Sequence, residues 1–395
     1  MSLEGINWTA QFALAVAIGV FAVLFPVNNW DALGYIGCAT ASATSDPKAI
    51  HDSAYEALKG VQEFEKLTKE SVDSIDWYGN AYHFTELLPF YSVKAIFIGA
   101  ILCIHKLGVS WLHTGHVVSG MAYSATGVLV TFWLSKYVSG YRSTLLWLCV
   151  MTVPTVAQTA RIFTPDALSC ALVVFAAWLI LEQRRYWWGA SAAILTVWVR
   201  PDYLLFAGIL TVALWMIRRL RLVEAAVLIG LTLGSYAFLT QVSGNYGWLL
   251  LFRHSFMGYL TAPGEFVVDT GAVLHSYPHV LLAAIRYELL NSFLLAYYAL
   301  GGFLLLVGIR RECKAVLATT LLFGVAHVLI FPTFENRFFG PITVIVSMSM
   351  VTMQLKRRST PHLAQQSHDS PLPLAANLTD QFEGAPKCWP TQGEE

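Results

Sequence analysis

Four short stretches carry acids in positions where chemistry is plausible: "NNWDALGYIGCA" (28–39), "TPDAL" (164–168), "RPDYL" (200–204) and "FENRFFGP" (334–341). Two of them pair an acid with an arginine two residues away. A carboxylate can take the proton of an attacking hydroxyl, and Arg or Lys can hold a phosphate and stabilise it as a leaving group. Asp31 is followed at four-residue steps by Tyr35 and Ala39, which puts all three on one helix face with the acid in the first turn. Further ionisable residues at the ends of apolar runs are Lys94, Arg161, Asp166, Arg200, Asp202, Arg253, Arg286, Glu335 and Arg337. Any one of them can be a snorkelling anchor. Asp166 also suits a helix N-cap after Pro165, and Arg200 with Asp202 suits an ion pair around Pro201. As a set they read as one polar site at a membrane interface.

The elements that must position such a site are apolar. Hydrophobic residues make up 56% of the 395 residues and charged ones 13%, and the mean hydropathy is +0.56. That is too few charges for a soluble surface of this size and predicts an all-α polytopic membrane protein. The formal net charge is zero, which gives no footing for nucleic acid or another polyanion. Runs of spanning length are expected at about 6–26, 113–135, 143–160, 165–182, 187–200, 202–217, 222–241, 287–309, 313–331 and 338–355. That makes about ten spans, with two of them short. Residues 6–26 lack a basic leader and a small-residue cleavage site, so they are expected to be a retained span. The run 93–107, between Pro89 and Gly108, is too short to cross and reads as re-entrant.

Basic residues mark every second connection: Lys136 and Arg142; Arg184 and Arg185; Arg218, Arg219 and Arg221; Arg310, Arg311 and Lys314; Lys356, Arg357 and Arg358. Basic connections stay cytoplasmic. Both termini are therefore expected in the cytoplasm, and the loops 27–112 and 242–286 outside together with the turns 161–165, 200–202 and 332–337, so that the four acidic stretches share the external face. The organisation expected is a transmembrane domain, 1–355, followed by a disordered Pro-, Ser- and Gln-rich tail, 356–395. In the first external loop Asp46 and Pro47 predict a helix start, and Ile50, Ala54, Leu58, Val61, Phe64 and Leu67 predict amphipathic helices along the membrane face. The aromatic, partly apolar second loop is expected to cover a substrate or to guide a lipid. His275 and His279, and likewise His113 and His116, lack the acids of a metal site, and His327, inside a span, reads as a packing histidine. The cysteines form no disulfide framework and no CxxC pair.

On these residues the chain resembles the C-type (GT-C) membrane glycosyltransferases, close in plan to the protein O-mannosyltransferases and the bacterial lipid A aminoarabinose transferase. The resemblance covers the architecture of roughly residues 6–350. "DALGYIGCA" looks like the family's first external loop. "TELLPFYSVKAIFIGAILCIHKLGVS" is similar to its E-x-x-P-x-Y approach to a re-entrant helix, carried by Glu86, Pro89, Tyr91 and Gly108. "TPDAL" matches the acid that opens the fourth span, and "VRPDYLLF" and "ENRFFGPI" look like its external turns. The chain departs from the pattern at Leu87 and Leu88, where close relatives place a base before the loop proline. It also lacks a D-x-D motif, which favours chemistry without a divalent metal, although a metal is not excluded.

The resemblance implies inverting transfer of a sugar from a polyprenyl-phosphate donor to a hydroxyl on a glycan, lipid or protein, at the periplasmic face of a bacterial inner membrane. Asp31 would be the general base, with Asp46 as the other candidate. Lys94, Arg200 and Arg337 would bind the departing phosphate. Asp166, Asp202 and Glu335 would orient those cations or hold sugar hydroxyls, and Tyr35, Glu86 and Tyr91 would complete the binding site. The rival reading is a lipid or glycolipid flippase with no covalent chemistry. An ion-coupled carrier fits less well, because the spans are nearly free of charge.

Overall fold

The computed structural model describes residues 3–69, 71–289, 293–307 and 309–359, and no strand occurs among them. The chain begins with α1 (Leu3–Leu24). The first loop folds as α2 (Trp30–Ala41), α3 (Pro47–Leu58), α4 (Phe64–Lys69), α5 (Val72–Gly79), α6 (Ala81–Leu87), α7 (Pro89–Ser92) and α8 (Ala95–Lys106). The body continues with α9 (Trp111–Leu134), α10 (Tyr141–Met151), α11 (Pro154–Arg161), α12 (Asp166–Leu181), α13 (Tyr186–Val199), α14 (Leu204–Met216) and α15 (Leu222–Val242). After it come α16 (Trp248–Phe256), α17 (Thr270–Tyr287), α18 (Leu294–Leu306), α19 (Arg311–Ile330) and α20 (Gly340–Ser359). Short 3-10 turns at Pro201–Tyr203, Pro263–Glu265 and Asn336–Phe339 connect them.

Small residues set a close helix contact, between α1 and α9. A Cβ at Gly19 would lie 2.9 Å from the Gly120 carbonyl oxygen, and one at Gly120 would lie 2.8 Å from that of Gly19. Ser124, one turn on, donates to the Ala15 carbonyl at 3.0 Å. Such pairs let backbones approach where apolar solvent supplies no hydrophobic drive.

Among the described residues α9, α15 and α19 are long and apolar enough to cross a membrane, and two bent pairs raise the number to five. The α6–α7 segment and α8 are bent by 114° at Lys94, a bend that a re-entrant loop and a broken span share. α10 and α11 meet at 70°, and the expected straight 143–160 run breaks because Pro154 cannot donate a backbone hydrogen bond and holds Val153 extended. α12, α14 and α18 have 16, 13 and 13 residues, about 20–24 Å of rise against a core of about 30 Å. The expected run 287–309 is not one helix. α17 ends at Tyr287, and the Glu288 carboxylate turns away to accept from the Phe334 N–H at 2.7 Å and the Thr333 hydroxyl at 3.0 Å.

The first loop builds a core of its own. Asp46 caps α3 by accepting from the N–H groups of Lys48 and Ala49, with Pro47 at the first position. Ile50, Ala54 and Leu58 are then buried with Leu33, Ile36, Trp77, Phe84 and Phe97. The expected disordered tail falls largely on residues 360–395, which lie outside the described residues.

Candidate functional site

α2 starts at Trp30, so Asp31 stands in its first turn, where a carboxylate is favoured. Asn29 donates to its Oδ2 at 2.7 Å. Tyr35, one turn on, packs edge-to-face on Tyr91 and Phe97 with centroids 5.2 and 5.0 Å apart. Tyr91 fits there because residue 34 is glycine: a Cβ at Gly34 would lie 2.6 Å from the Tyr91 ring. Lys94 occupies the joint between α7 and α8, donates to the Phe90 carbonyl at 2.7 Å and lies over the rings of Tyr91 (5.1 Å) and Tyr35 (5.7 Å). Burial pushes the Lys94 ammonium down to about 8, against the opposing pull of Asp31.

Two guanidiniums bind the acids together. Arg200 holds Asp202 through two bonds of 3.1 and 3.0 Å and also pairs with Asp166. Arg337 donates to Asp31 Oδ2 at 3.0 Å, pairs with Glu335 and lies 3.8 Å from Asp166. Phe338 lies under both cations, 4.6 Å from Arg200 and 5.0 Å from Arg337. Asp166 is 2% exposed, Asp202 21% and Asp31 28%. His327 Nδ1 lies 3.0 Å from the Asp202 carboxylate, on which Arg200 also converges.

These groups line a cavity of about 1060 Å³. Trp30, Trp77 and Tyr259 form an aromatic wall, and Leu205, Leu251, Leu274 and Leu329 form an apolar one. α16 and α17 close that side by bonding to the end of α19, Trp248 donating to the Ile330 carbonyl at 2.7 Å and Tyr277 to that of Leu329. The second loop thus contributes helices to the cavity lining. Asn29 Oδ1 and His327 Nε2, on two of the lining residues, are buried and have no hydrogen-bond partner.

Asp31, Tyr35, Tyr91, Lys94, Asp166, Arg200, Asp202, Glu335 and Arg337 all line this cavity. Glu86 does not. It belongs to the far side of α6, where its carboxylate accepts the Gly264 N–H at 3.1 Å and ties the Pro263–Glu265 turn to the first loop. Asp166 opens α12 without capping it, because its oxygens go to Arg200 and to the Thr164 hydroxyl at 2.7 Å. The Arg200–Asp202 ion pair exists, inside the network.

Other candidates are structural. Asp46 is spent on its cap. Arg161 donates to the Phe25 carbonyl at 2.9 Å, and Arg253 to that of Gly258 at 2.6 Å. His116 bonds to Asn28 at 3.3 Å. His327 is more than a packing residue: it lies in the last turn of α19, four residues before Phe331, and faces Asp202. Phe338 and His254 also escaped the sequence reading. His254 accepts the Leu260 N–H at 3.1 Å and is pushed down to about 4, mainly by burial.

Among the described residues no group of three or more His, Cys, Asp or Glu is arranged to hold a metal. The chain matches no known family, no characterised protein and no solved structure.

Proposed function

We propose that this protein transfers a sugar from a polyprenyl-phosphate donor to an acceptor hydroxyl, with inversion, at the external face of a bacterial inner membrane that its helices cross about ten times. The observation that carries the reading is the meeting of Asp31 with Lys94, Arg200 and Arg337 in the lining of one cavity that also carries many apolar and aromatic side chains. In the reaction the acceptor oxygen attacks the anomeric carbon while Asp31 takes its proton. The bond from that carbon to the phosphate oxygen breaks, and its electron pair leaves with the phosphate. Charge grows on the phosphate in the transition state, where fixed cations stabilise it most.

Arg337 donates to Asp31 Oδ2, so a donor phosphate that takes this guanidinium frees a lone pair of the base. Donor binding then prepares acceptor activation. Asn29 Oδ1 and His327 Nε2, both without partners, suit the hydroxyls of a sugar. The apolar wall suits a prenyl chain. Tyr35 and Tyr91 seat Lys94, Asp202 and Glu335 hold the arginines, and Asp166 does so from full burial.

The test is release of free polyprenyl phosphate by the purified protein, supplied with a panel of polyprenyl-phosphate sugars and a native membrane extract as acceptor. Release with one donor supports the reading. Movement of a labelled donor across proteoliposomes without any release would replace it with the flippase reading.

A further inference from the structure

The opposite end of the helical body carries a second cluster, built from three turns. α12 and α13 are joined at residues 182–185, α14 and α15 at 217–221, and α18 leads to α19 before Arg311. The turns touch through named contacts. Arg310 donates to the Leu181 carbonyl at 2.8 Å and approaches Glu182 at 4.0 Å. Arg219 pairs with Glu312 and lies 5.4 Å from the Tyr186 ring centre, and the Tyr186 hydroxyl reaches Glu312 at 3.5 Å. Glu182 also takes the Tyr137 hydroxyl at 2.8 Å and Lys136 at 3.4 Å.

Those contacts use both carboxylates, 5% and 12% exposed. Arg184, Arg185, Arg218, Arg221 and Arg311, one to three residues away, are all exposed; Glu224 accepts the Arg221 backbone N–H at 2.7 Å, and none of the five guanidinium groups has a carboxylate partner among the described residues. Neighbouring like charges on a surface repel one another, and an anion bound among them relieves that repulsion.

Backbone conformation adds an independent observation. Arg184 and Arg218 are the described non-glycine residues with positive φ, at 53° and 60°. In each turn the next residue closes the helix end: the Arg185 N–H reaches the Leu179 carbonyl at 2.9 Å and the Arg219 N–H reaches that of Leu214 at 2.8 Å. Glycine fills this left-handed position without strain, whereas an L side chain does not. Two of the turns thus carry a strained arginine at the same point. The apolar surroundings complete the pattern, because Trp188 (63% exposed), Trp215 (42%) and Met216 (71%) stand beside the arginines. Tryptophan next to exposed arginine is the arrangement of a headgroup zone, where the ring sits at the depth of the lipid glycerol and the guanidinium meets the phosphate.

We infer that these three turns form a binding site for the phosphate of an anionic phospholipid. Guanidinium forks from two turns clamp one phosphodiester, and the flanking indoles seat its glycerol region. The site goes beyond the proposed transfer chemistry and rests only on these helices crossing the bilayer. It fastens the α12–α13, α14–α15 and α18–α19 turns to one another from outside.

The experiment uses the full-length protein in nanodiscs of phosphatidylcholine alone or with phosphatidylglycerol, reading thermal unfolding and the lipid retained in native mass spectrometry. Two variants are compared with wild type: Arg185→Gln/Arg218→Gln/Arg311→Gln, and Arg184→Gly/Arg218→Gly, which removes two charges while relieving the backbone. Wild type should retain phosphatidylglycerol preferentially and unfold at higher temperature with it. Retention should fall about fivefold per arginine removed, in the glycine variant as well, although its unfolding in phosphatidylcholine is no lower than that of wild type. Equal retention by wild type and the glycine variant would overturn the site. A full effect of glycerophosphate in phosphatidylcholine discs would also overturn it, because the ligand would then be a soluble phosphate.

Discussion

Arginines gather at both ends of the helical body, and their surroundings differ. At the cavity end Arg200 and Arg337 are 13% and 17% exposed and share Asp31, Asp166, Asp202 and Glu335 between them. At the other end five arginines point outward, and the nearest carboxylates are already paired. A buried guanidinium needs protein acids to be tolerated, and those acids become available chemistry when a substrate displaces them. An exposed guanidinium needs nothing from the protein and can take its anion from the surroundings. Residue type alone does not separate the two roles.

The sharpest way to break this comparison is to delete one arginine from each end. Arg200→Gln removes the guanidinium that bonds both buried Asp166 and Asp202, leaving Asp166 only the more distant Arg337, and is expected to lower stability by about 3–5 kcal/mol in a denaturation measurement. Arg218→Gly, in detergent without anionic lipid, is expected to change it by within about 0.5 kcal/mol. Similar losses at both ends would undo the distinction.

Next in size is packing beneath the site. Gly34→Ala drives a Cβ into the Tyr91 ring and should cost about 1–3 kcal/mol. Turnover should fall with it, because Tyr91 lies beneath Lys94.

Lys94 supplies a pH test. Its folded-state value is about 8, so the ammonium is charged below that pH and lost above it. Donor affinity should fall roughly tenfold for each unit of pH above 8 as this charge disappears. Stability moves the other way. The unfolded lysine keeps its proton to its ordinary, higher value, so between the two values the unfolded chain binds more protons and stability rises with pH. Titrating donor binding and unfolding together separates these signs, and a flat donor curve would remove Lys94 from phosphate binding.

The smallest effect separates two acids of the first loop. Asp46→Ala should cost about 1 kcal/mol of stability through its lost cap and leave turnover per folded molecule unchanged. A large loss of turnover would make Asp46 the base.

Much of the cavity was legible because charge in an apolar chain is rare and therefore informative. Asp31, Lys94, Asp166, Arg200, Asp202, Glu335 and Arg337 stood out at the ends of apolar runs, and they meet. Glu86 was misplaced because a motif position does not say which side of a short helix faces the cavity, and α6 turns Glu86 toward Gly264. His327 was undervalued because the run 313–331 hid its end, whereas the helix stops at Ile330 and leaves the imidazole at the cavity. Phe338 carried no signal, since an aromatic beneath two cations looks in sequence like any other apolar residue. Span lengths were the weakest reading. Hydropathy continues across Pro154, which cannot donate a backbone hydrogen bond, and past Tyr287, where α17 ends.

The most direct test of the account is release of polyprenyl phosphate by wild type and by Asp31→Asn, each purified and shown to be folded, with the same donor and acceptor extract. The account predicts release by wild type and a loss of about 10²- to 10⁴-fold in the variant, with donor binding retained. Equal release by the two proteins would contradict it and move the base away from Asp31.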